Sequence, residues 1–136
     1  MPRLELLSDP AYLAFWRARH LCSVSTPRPD GTLHVTPMGI VLDPDAGRAW
    51  GITSRTSVKA RNLMAAGAGA PVAVCQIDGR HWASLEGVAE VLGDEASVRE
   101  AEERYAVRYK VPRPNPQRVA LRITLNRVLG KAPEAS

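Results

Sequence analysis

The stretch that decides the fold is residues 52–63, ITSRTSVKARNL, in which the end of an apolar strand turns into a helix. It carries four hydroxyl side chains and three bases: Thr53, Ser54, Thr56, Ser57, Arg55, Lys59 and Arg61. The first amides of a helix have no partner inside the helix and can hold an anion. Two interpretations remain equally open: an anion-binding helix start, or a hydroxyl N-cap beside a solvated basic face.

Outward from this stretch, apolar runs alternate with turn signals along the whole chain. The pattern predicts strands at residues 21–26, 32–42, 48–54, 71–77, 81–92 and 119–126. It predicts helices at residues 9–20, 57–67 and 95–110, begun by Ser8, Ser57 and Asp94. Most connections are too short for parallel crossovers, so the pattern predicts an α+β fold, a six-stranded antiparallel barrel with three flanking helices.

Size and charge limit the classes of function. With 136 residues and 14.8 kDa, residues 1–136 are expected to form one domain, with residues 131–136 as a loose tail. No apolar run approaches the ~18 residues of a membrane helix, and Glu5 and Asp9 lie where a signal peptide would be apolar. We therefore expect a cytoplasmic protein that binds no membrane.

The basic residues do not form a nucleic-acid motif. The net charge is +4, but the arginines near the end of the chain are scattered over a loop and a strand without interleaved aromatic residues. We therefore expect no nucleic-acid partner.

Residues that commonly carry chemistry are sparse. His20, His34 and His81 lack metal-ligand spacing, and no nucleophile elbow, P-loop or dinucleotide motif is present. Cys22 and Cys75 lie in separate apolar runs, which favours buried free thiols. The sequence therefore predicts no metal ligand and no catalytic side chain.

Two strand positions leave a functional interpretation open. Pro37 lies within the predicted strand 32–42 and cannot donate to a ladder, so we expect an edge, a bulge or a ligand there. Trp82 alternates with Ser84 and Glu86 on a polar strand face, where it either packs at an interface or stacks on a planar ligand.

Three segments, in their order along the chain, resemble the flavin/deazaflavin split β-barrel proteins, which are the relatives of pyridoxamine 5′-phosphate oxidase. These segments are SVSTPRPDGTLHVTPMGIVLD, TSRTSVKARNL and VAVCQIDGRHWASLEGVAEV. The closing segment AEERYAVRYKVPRPNPQRVALRITLNRVLG is similar to the branch that uses coenzyme F420, and in particular to the deazaflavin-dependent biliverdin reductases. The likeness spans about residues 10–130.

This resemblance implies a homodimer with two cofactor sites at the subunit interface. It implies that the cofactor phosphate is held by Ser57 and Lys59, near Arg55, and that the ring lies against the strand around Pro37. It also places Gln76, Asp78 and Trp82 near the ring or the substrate space. The full set of cofactor-binding residues expected is Thr36, Pro37, Met38, Gly39, Ser54, Arg55, Ser57, Val58, Lys59, Gln76, Asp78 and Trp82.

The activity implied by the resemblance is hydride transfer from reduced coenzyme F420 to a planar conjugated acceptor, with biliverdin or a related tetrapyrrole as the expected substrate. The cofactor carries the chemistry in such proteins, which agrees with the lack of a predicted catalytic side chain. Arg61 and Arg118 would suit the polyglutamate tail of the deazaflavin. Two alternatives remain: an enzyme like pyridoxamine phosphate oxidase that uses flavin mononucleotide (FMN), and a non-catalytic protein that binds the cofactor or a tetrapyrrole.

Overall fold

The computed structural model describes residues 4–67 and 69–132 and contains one sheet with three α-helices around it. The strands are β1 (Cys22–Pro27), β2 (Leu33–Met38), β3 (Val41–Asp43), β4 (Arg48–Ser54), β5 (Ala70–Asp78), β6 (His81–Leu92) and β7 (Arg118–Lys131). The helices are α1 (Pro10–Arg17), α2 (Val58–Ala66) and α3 (Glu95–Arg108), and a 3₁₀ turn at Glu5–Ser8 precedes them.

All neighbouring strands are antiparallel, in the order β2-β1-β5-β6-β7-β4-β3. β2 and β3 therefore form opposite edges of the sheet, although only Gly39 and Ile40 separate them along the chain. Because two residues cannot span a flat seven-stranded sheet, the sheet must curl until its edges meet. The α+β split-barrel fold is thus confirmed.

The predicted number of strands is wrong, because residues 32–42 form two strands and not one. The run carries Pro37 and Gly39, but its periodicity continues past both residues and so predicts one continuous strand. In the structure the break falls at Gly39 and Ile40, which are both buried at the corner of the barrel. Pro37 lies in β2, an edge strand, as its missing amide predicts.

The helix starts follow the predicted hydroxyl and carboxylate caps with one exception. Ser57 caps α2, and its Oγ accepts a hydrogen bond from the Ala60 amide. Asp94 caps α3 through the Ser97 amide. α1 is capped by Asp9 and not by Ser8, because Pro10 occupies the first helical position and the Asp9 carboxylate reaches the Ala11 amide.

The last strand is longer than predicted. β7 continues to Lys131, which pairs with Trp82, so this residue does not belong to a loose tail. Residues 133–136 of the predicted tail lie outside the described residues. A bulge opposite Glu86 and Gly87 lets β7 bend along β6, and Gly87 has no room for a Cβ, which would lie 2.2 Å from the Thr124 carbonyl oxygen.

The core fills the barrel with aliphatic side chains from the inward positions of the strands, and α1 covers it with Tyr12, Phe15 and Trp16. Cys22 and Cys75 are free thiols, the first buried and the second half-buried.

In the described part of the chain, no helix has the length and hydropathy needed to cross a membrane. The same residues contain no group of three or more His, Cys, Asp or Glu side chains suited to a metal ion.

Candidate functional site

The sheet leaves a gap between β2 and the second half of β4, which we call the split. β3 pairs only with Arg48–Trp50, so Gly51–Ser54 of β4 has no strand on that side. The two lips approach each other closely at Gly51, where a Cβ would lie 2.9 Å from Met38 Cε. The split is therefore lined by backbone and small or flexible side chains, which suits a flat ligand.

The first turn of α2 bridges both lips of the split. Thr53 Oγ1, on β4, donates to Ser57 Oγ at 3.0 Å. Lys59 Nζ donates to Thr36 Oγ1, on β2, also at 3.0 Å. The structure thus brings together Thr36, Ser57 and Lys59, three residues predicted for the cofactor site.

The donors in this first turn match an oxyanion. The Ser57 oxygen accepts from Thr53 and from the Ala60 amide, so its own proton remains available to a ligand. Lys59 keeps two N–H donors beyond the one given to Thr36, and it makes no ion pair among the described residues. Burial lowers the pKa of the Lys59 ammonium, and a bound anion would oppose this effect.

Other residues of the decisive stretch have different surroundings. Ser54 Oγ accepts from Asn115 Nδ2 at 2.8 Å, and the Arg55 amide donates to the Gln117 carbonyl at 2.8 Å. The Arg55 side chain is exposed, and its Nη2 lies 3.9 Å from where a Cβ on Gly93 would be. Val58 begins α2 and is exposed.

Beyond the lips the split opens into a groove of about 490 Å³, within the usual range for ligand sites. Strand ends form one part of its lining, and the C-terminal part of α3 with the loop that follows forms the other. The lining residues are Leu21, Met38, Gly39, Ile52, Thr53, Ser54, Tyr105, Lys110, Pro112, Arg113, Asn115 and Arg118.

Sequence reasoning missed the α3 side of this groove. Tyr105, Lys110 and Asn115 were not predicted as site residues, and Arg113 was treated only as a scattered base. The available signal was the RYxxRYxxPRPNPxRV pattern, which places an aromatic residue, bases and prolines in one segment. Periodicity could not show that this loop folds back over β4.

Gly39 is required by two tyrosines of α3. A Cβ at Gly39 would lie 2.8 Å from Tyr109 Cε2 and 2.9 Å from Tyr105 Cε2. The two rings stack with centroids 4.9 Å apart. The Tyr109 hydroxyl donates to the His20 carbonyl and accepts from the Ile40 amide, which fixes the corner between β2 and β3. The bare backbone at Gly39 therefore makes room for protein rings at the edge of the groove.

Gln76 does not reach the split. Its side chain is 1% exposed, its Nε2 donates to the Phe15 carbonyl, and its Oε1 accepts from Arg108 Nη2 at 2.6 Å. Arg108 is itself buried and donates to the carbonyls of Ala18 and Ile40. Gln76 and Arg108 thus form a polar network inside the fold, in which the guanidinium has only neutral acceptors among the described residues.

Asp78 and Trp82 lie at the far end of the β5–β6 hairpin. The Asp78 carboxylate is mostly exposed and stands 4.0 Å from His20 Nε2. Trp82 is 40% exposed. Pro37 and Trp82 belong to the outward side of the sheet, so a single chain does not bring them to the groove. Their predicted role depends on a second chain.

A second cavity of about 410 Å³ lies on the other side of α3, between α1 and β3. Its walls are mostly apolar, and it includes none of the predicted site residues. The split is the better candidate site because it combines a ligand-sized groove with the donors at the start of α2.

Comparison with known proteins shows the family of the chain. The family profile described as pyridoxamine 5′-phosphate oxidase matches residues 8–132. An F420H(2)-dependent biliverdin reductase of Mycobacterium tuberculosis (strain CDC 1551 / Oshkosh) is 46% identical over 126 residues, which cover 93% of this chain and 89% of that protein.

Solved structures share the fold at lower identity. A conserved hypothetical protein of Mycobacterium tuberculosis superposes with a TM-score of 0.74 at 24% identity, over 94% of this chain and 90% of that one. A structure described as F420 reductase gives a TM-score of 0.66 at 22% identity, over 85% of this chain and 94% of that one.

Proposed function

The chain belongs to the pyridoxamine 5′-phosphate oxidase family, and from this premise we propose that it is an oxidoreductase that transfers a hydride from reduced coenzyme F420 to biliverdin or a related tetrapyrrole. The observation that carries the proposal is the bridge made by the first turn of α2 across the split, through Lys59 to Thr36 and through Ser57 to Thr53. The name of the 46% identical relative supports the choice of cofactor and acceptor.

The residues at the start of α2 fit the phosphate of such a cofactor. A phosphate seeks several N–H and O–H donors and a nearby cation, and no acidic side chain should oppose it. Ser57, Lys59, Thr36 and the free amides of the first turn supply this set. Arg55 adds positive charge outside the turn, and Ser54 is a site residue through its contact with Asn115, which holds the loop over the groove.

The split would hold the cofactor ring between its lips. Met38 and Ile52 present apolar side chains beside Gly39, and Pro37 stiffens the strand from the outward side. When bound, the reduced deazaflavin supplies the hydride. The chain positions the reactants and excludes water from the groove, and neither task requires a catalytic side chain.

FMN is the alternative cofactor, because it also presents a planar ring and a phosphate. The relative that depends on F420 favours the deazaflavin, since it covers nearly the whole chain. A fluorescence titration with each cofactor separates the two: we expect tighter binding of F420. Equal or tighter binding of FMN would overturn the cofactor assignment.

We also propose a homodimer that pairs the outward side of the sheet with the same side of a second chain. Exposed apolar side chains concentrate there: Leu33 is 65% exposed, Val35 57% and Ile77 68%. Small residues lie between these side chains. Ser23 on β1, for example, pairs with Pro37 on β2 and with Cys75 on β5. An exposed apolar face of this kind is typical of an isologous interface, and it contains Trp82 and Pro37.

A non-catalytic binding protein would need the same pocket, so turnover is the deciding experiment. The purified protein is incubated anaerobically with reduced F420 and biliverdin, and both absorption spectra are followed. We expect the loss of biliverdin to match the reoxidation of F420 in amount. Binding of both compounds without conversion would support the non-catalytic alternative, and failure to bind F420 would contradict the proposal.

A further inference from the structure

The loop between α3 and β7, residues 109–117, is held in place over the groove by side-chain and backbone bonds. Asn115 Nδ2 donates to Ser54 Oγ at 2.8 Å, and Asn115 Oδ1 accepts from the Gln117 amide at 2.9 Å. The Gln117 carbonyl accepts from the Arg55 amide. Prolines at positions 112, 114 and 116 further restrict the backbone. The loop is therefore built to hold its side chains at fixed positions.

Arg118 fixes the part of the loop that carries Arg113. Its Nη2 donates to the Arg113 carbonyl at 2.7 Å, and its Nη1 pairs with Glu102 Oε2 at 2.7 Å. Glu102 thus compensates the charge of Arg118. Arg118 thus links α3 to the loop. Because its guanidinium makes these contacts, it is not free for the cofactor tail that the sequence suggested.

Lys110 and Arg113 differ from Arg118 because both are exposed and make no ion pair among the described residues. Both line the groove, and none of the residues that line it is acidic. Apolar and aromatic side chains also line the groove, among them Leu21, Met38 and Tyr105. The groove therefore combines a surface for a planar apolar body with two uncompensated cations at its rim.

We propose that Lys110 and Arg113 bind the carboxylate groups of the acceptor and so select planar conjugated acids over their neutral analogues. Guanidinium and ammonium groups recognise carboxylates through charge-assisted hydrogen bonds, and arginine can do so with two parallel bonds. The proposal rests on the proposed function, because it takes the occupant of the groove to be the tetrapyrrole acceptor, whose side chains end in two propionates. The glutamate tail of the cofactor is a second ligand whose carboxylates these two cations would bind.

The test is a binding titration in the absence of cofactor, so that no turnover occurs. A negative result in this titration is therefore distinct from a failure of the proposed hydride transfer. Biliverdin and its dimethyl ester are each titrated into the parent protein and into Lys110→Gln and Arg113→Gln. We expect each substitution to raise the Kd of the diacid by about tenfold or more and to leave the Kd of the diester within about twofold. The difference between the two ligands should shrink at high salt.

Arg99→Gln is the matched control, because it also removes one positive charge and Arg99 is an exposed residue of α3 that does not line the groove. It should leave the binding of both ligands unchanged. Coenzyme F420 is titrated in parallel, with and without its glutamate tail. If the two loop substitutions weaken only the tailed cofactor, or weaken the diacid and the diester equally, the assignment to the acceptor is overturned.

Discussion

At the scale of single residues, Lys59 is the clearest test of the anion site. Changing Lys59 to Ala removes one cation and its bond to Thr36, while alanine preserves the helix. Since Lys59 makes no ion pair among the described residues and is not part of the core, its removal should change the free energy of unfolding by no more than ~0.5 kcal/mol.

We expect this substitution to reduce the affinity for F420 by about tenfold or more, with a smaller loss at high salt. Fluorescence titration measures the affinity, and thermal denaturation checks the fold. Arg99→Ala, at an exposed position of α3 outside the groove, is the control and should leave the affinity unchanged. Parent-like binding by Lys59→Ala would mean that the start of α2 is only a capped helix beside a basic face.

Gly39 gives a second prediction at this scale. Gly39→Ala would force a methyl group against the rings of Tyr105 and Tyr109, and we expect a loss of ~1–3 kcal/mol of stability. Gly93→Ala is the control: its methyl group would meet its nearest neighbours at 3.9 Å, an ordinary contact. Denaturant unfolding compares the two variants. Equal stability of both would show that the tyrosines do not constrain this corner.

At the scale of elements, two tyrosines, the buried Tyr12 and the half-buried Tyr109, join helices to the barrel. The Tyr12 hydroxyl donates to the Leu129 carbonyl, which ties α1 to β7, and Tyr109 ties the end of α3 to the corner after β2. Burial raises the pKa of each phenol to about 12. The pKa of each phenol is therefore higher in the folded protein than in the unfolded protein, where it is 10.0. The stabilisation that the protonated phenols contribute is complete below pH 10 and is lost as the pH rises toward 12.

We therefore expect the free energy of unfolding to fall between about pH 10 and pH 12, by up to ~1.4 kcal/mol per pH unit for each tyrosine. Denaturant unfolding at a series of pH values measures this slope. Tyr109→Phe should make the slope shallower, because one of the two groups is removed. A slope that is the same in the variant and the parent would contradict the role of Tyr109.

Sequence patterns predicted the elements well where local chemistry determines them. β4, α2 and β6 follow their predicted positions closely, since alternation, a Ser57 cap and a terminal Gly67 are all local signals. The break between β2 and β3 escaped prediction, because barrel closure and the tyrosines of α3 determine it. The buried position of Gln76 was missed for the same reason: its partner Arg108 is 32 residues away.

The residues of the candidate site were likewise predicted where the signal is local and missed where it is not. The start of α2 was predicted from one contiguous stretch, and the structure joins it to Thr36 on β2. Lys110, Arg113 and Asn115 were missed, because their place over the groove depends on long-range bonds such as the one from Asn115 to Ser54. Asp78 and Trp82 remain predictions that a second chain must complete.

At the scale of the whole molecule, the outward side of the sheet predicts association. Val35→Glu places a charge in the middle of an exposed apolar face, so the folded monomer should tolerate it while the dimer should not. Sedimentation should show a dimer for the parent protein and a monomer for the variant. Ala96→Glu adds the same charge to an exposed position of α3 and should remain dimeric. A parent protein that is monomeric with cofactor bound would exclude a shared site.

The most direct measurement of the central claim is the position of F420 in a crystal structure of the complex. We predict that the cofactor phosphate lies within hydrogen-bond distance of Lys59 Nζ and Ser57 Oγ, with the ring in the split beside Met38 and Gly39. Density for the ring in the cavity between α1 and α3, or a phosphate held away from the first turn of α2, would contradict the account.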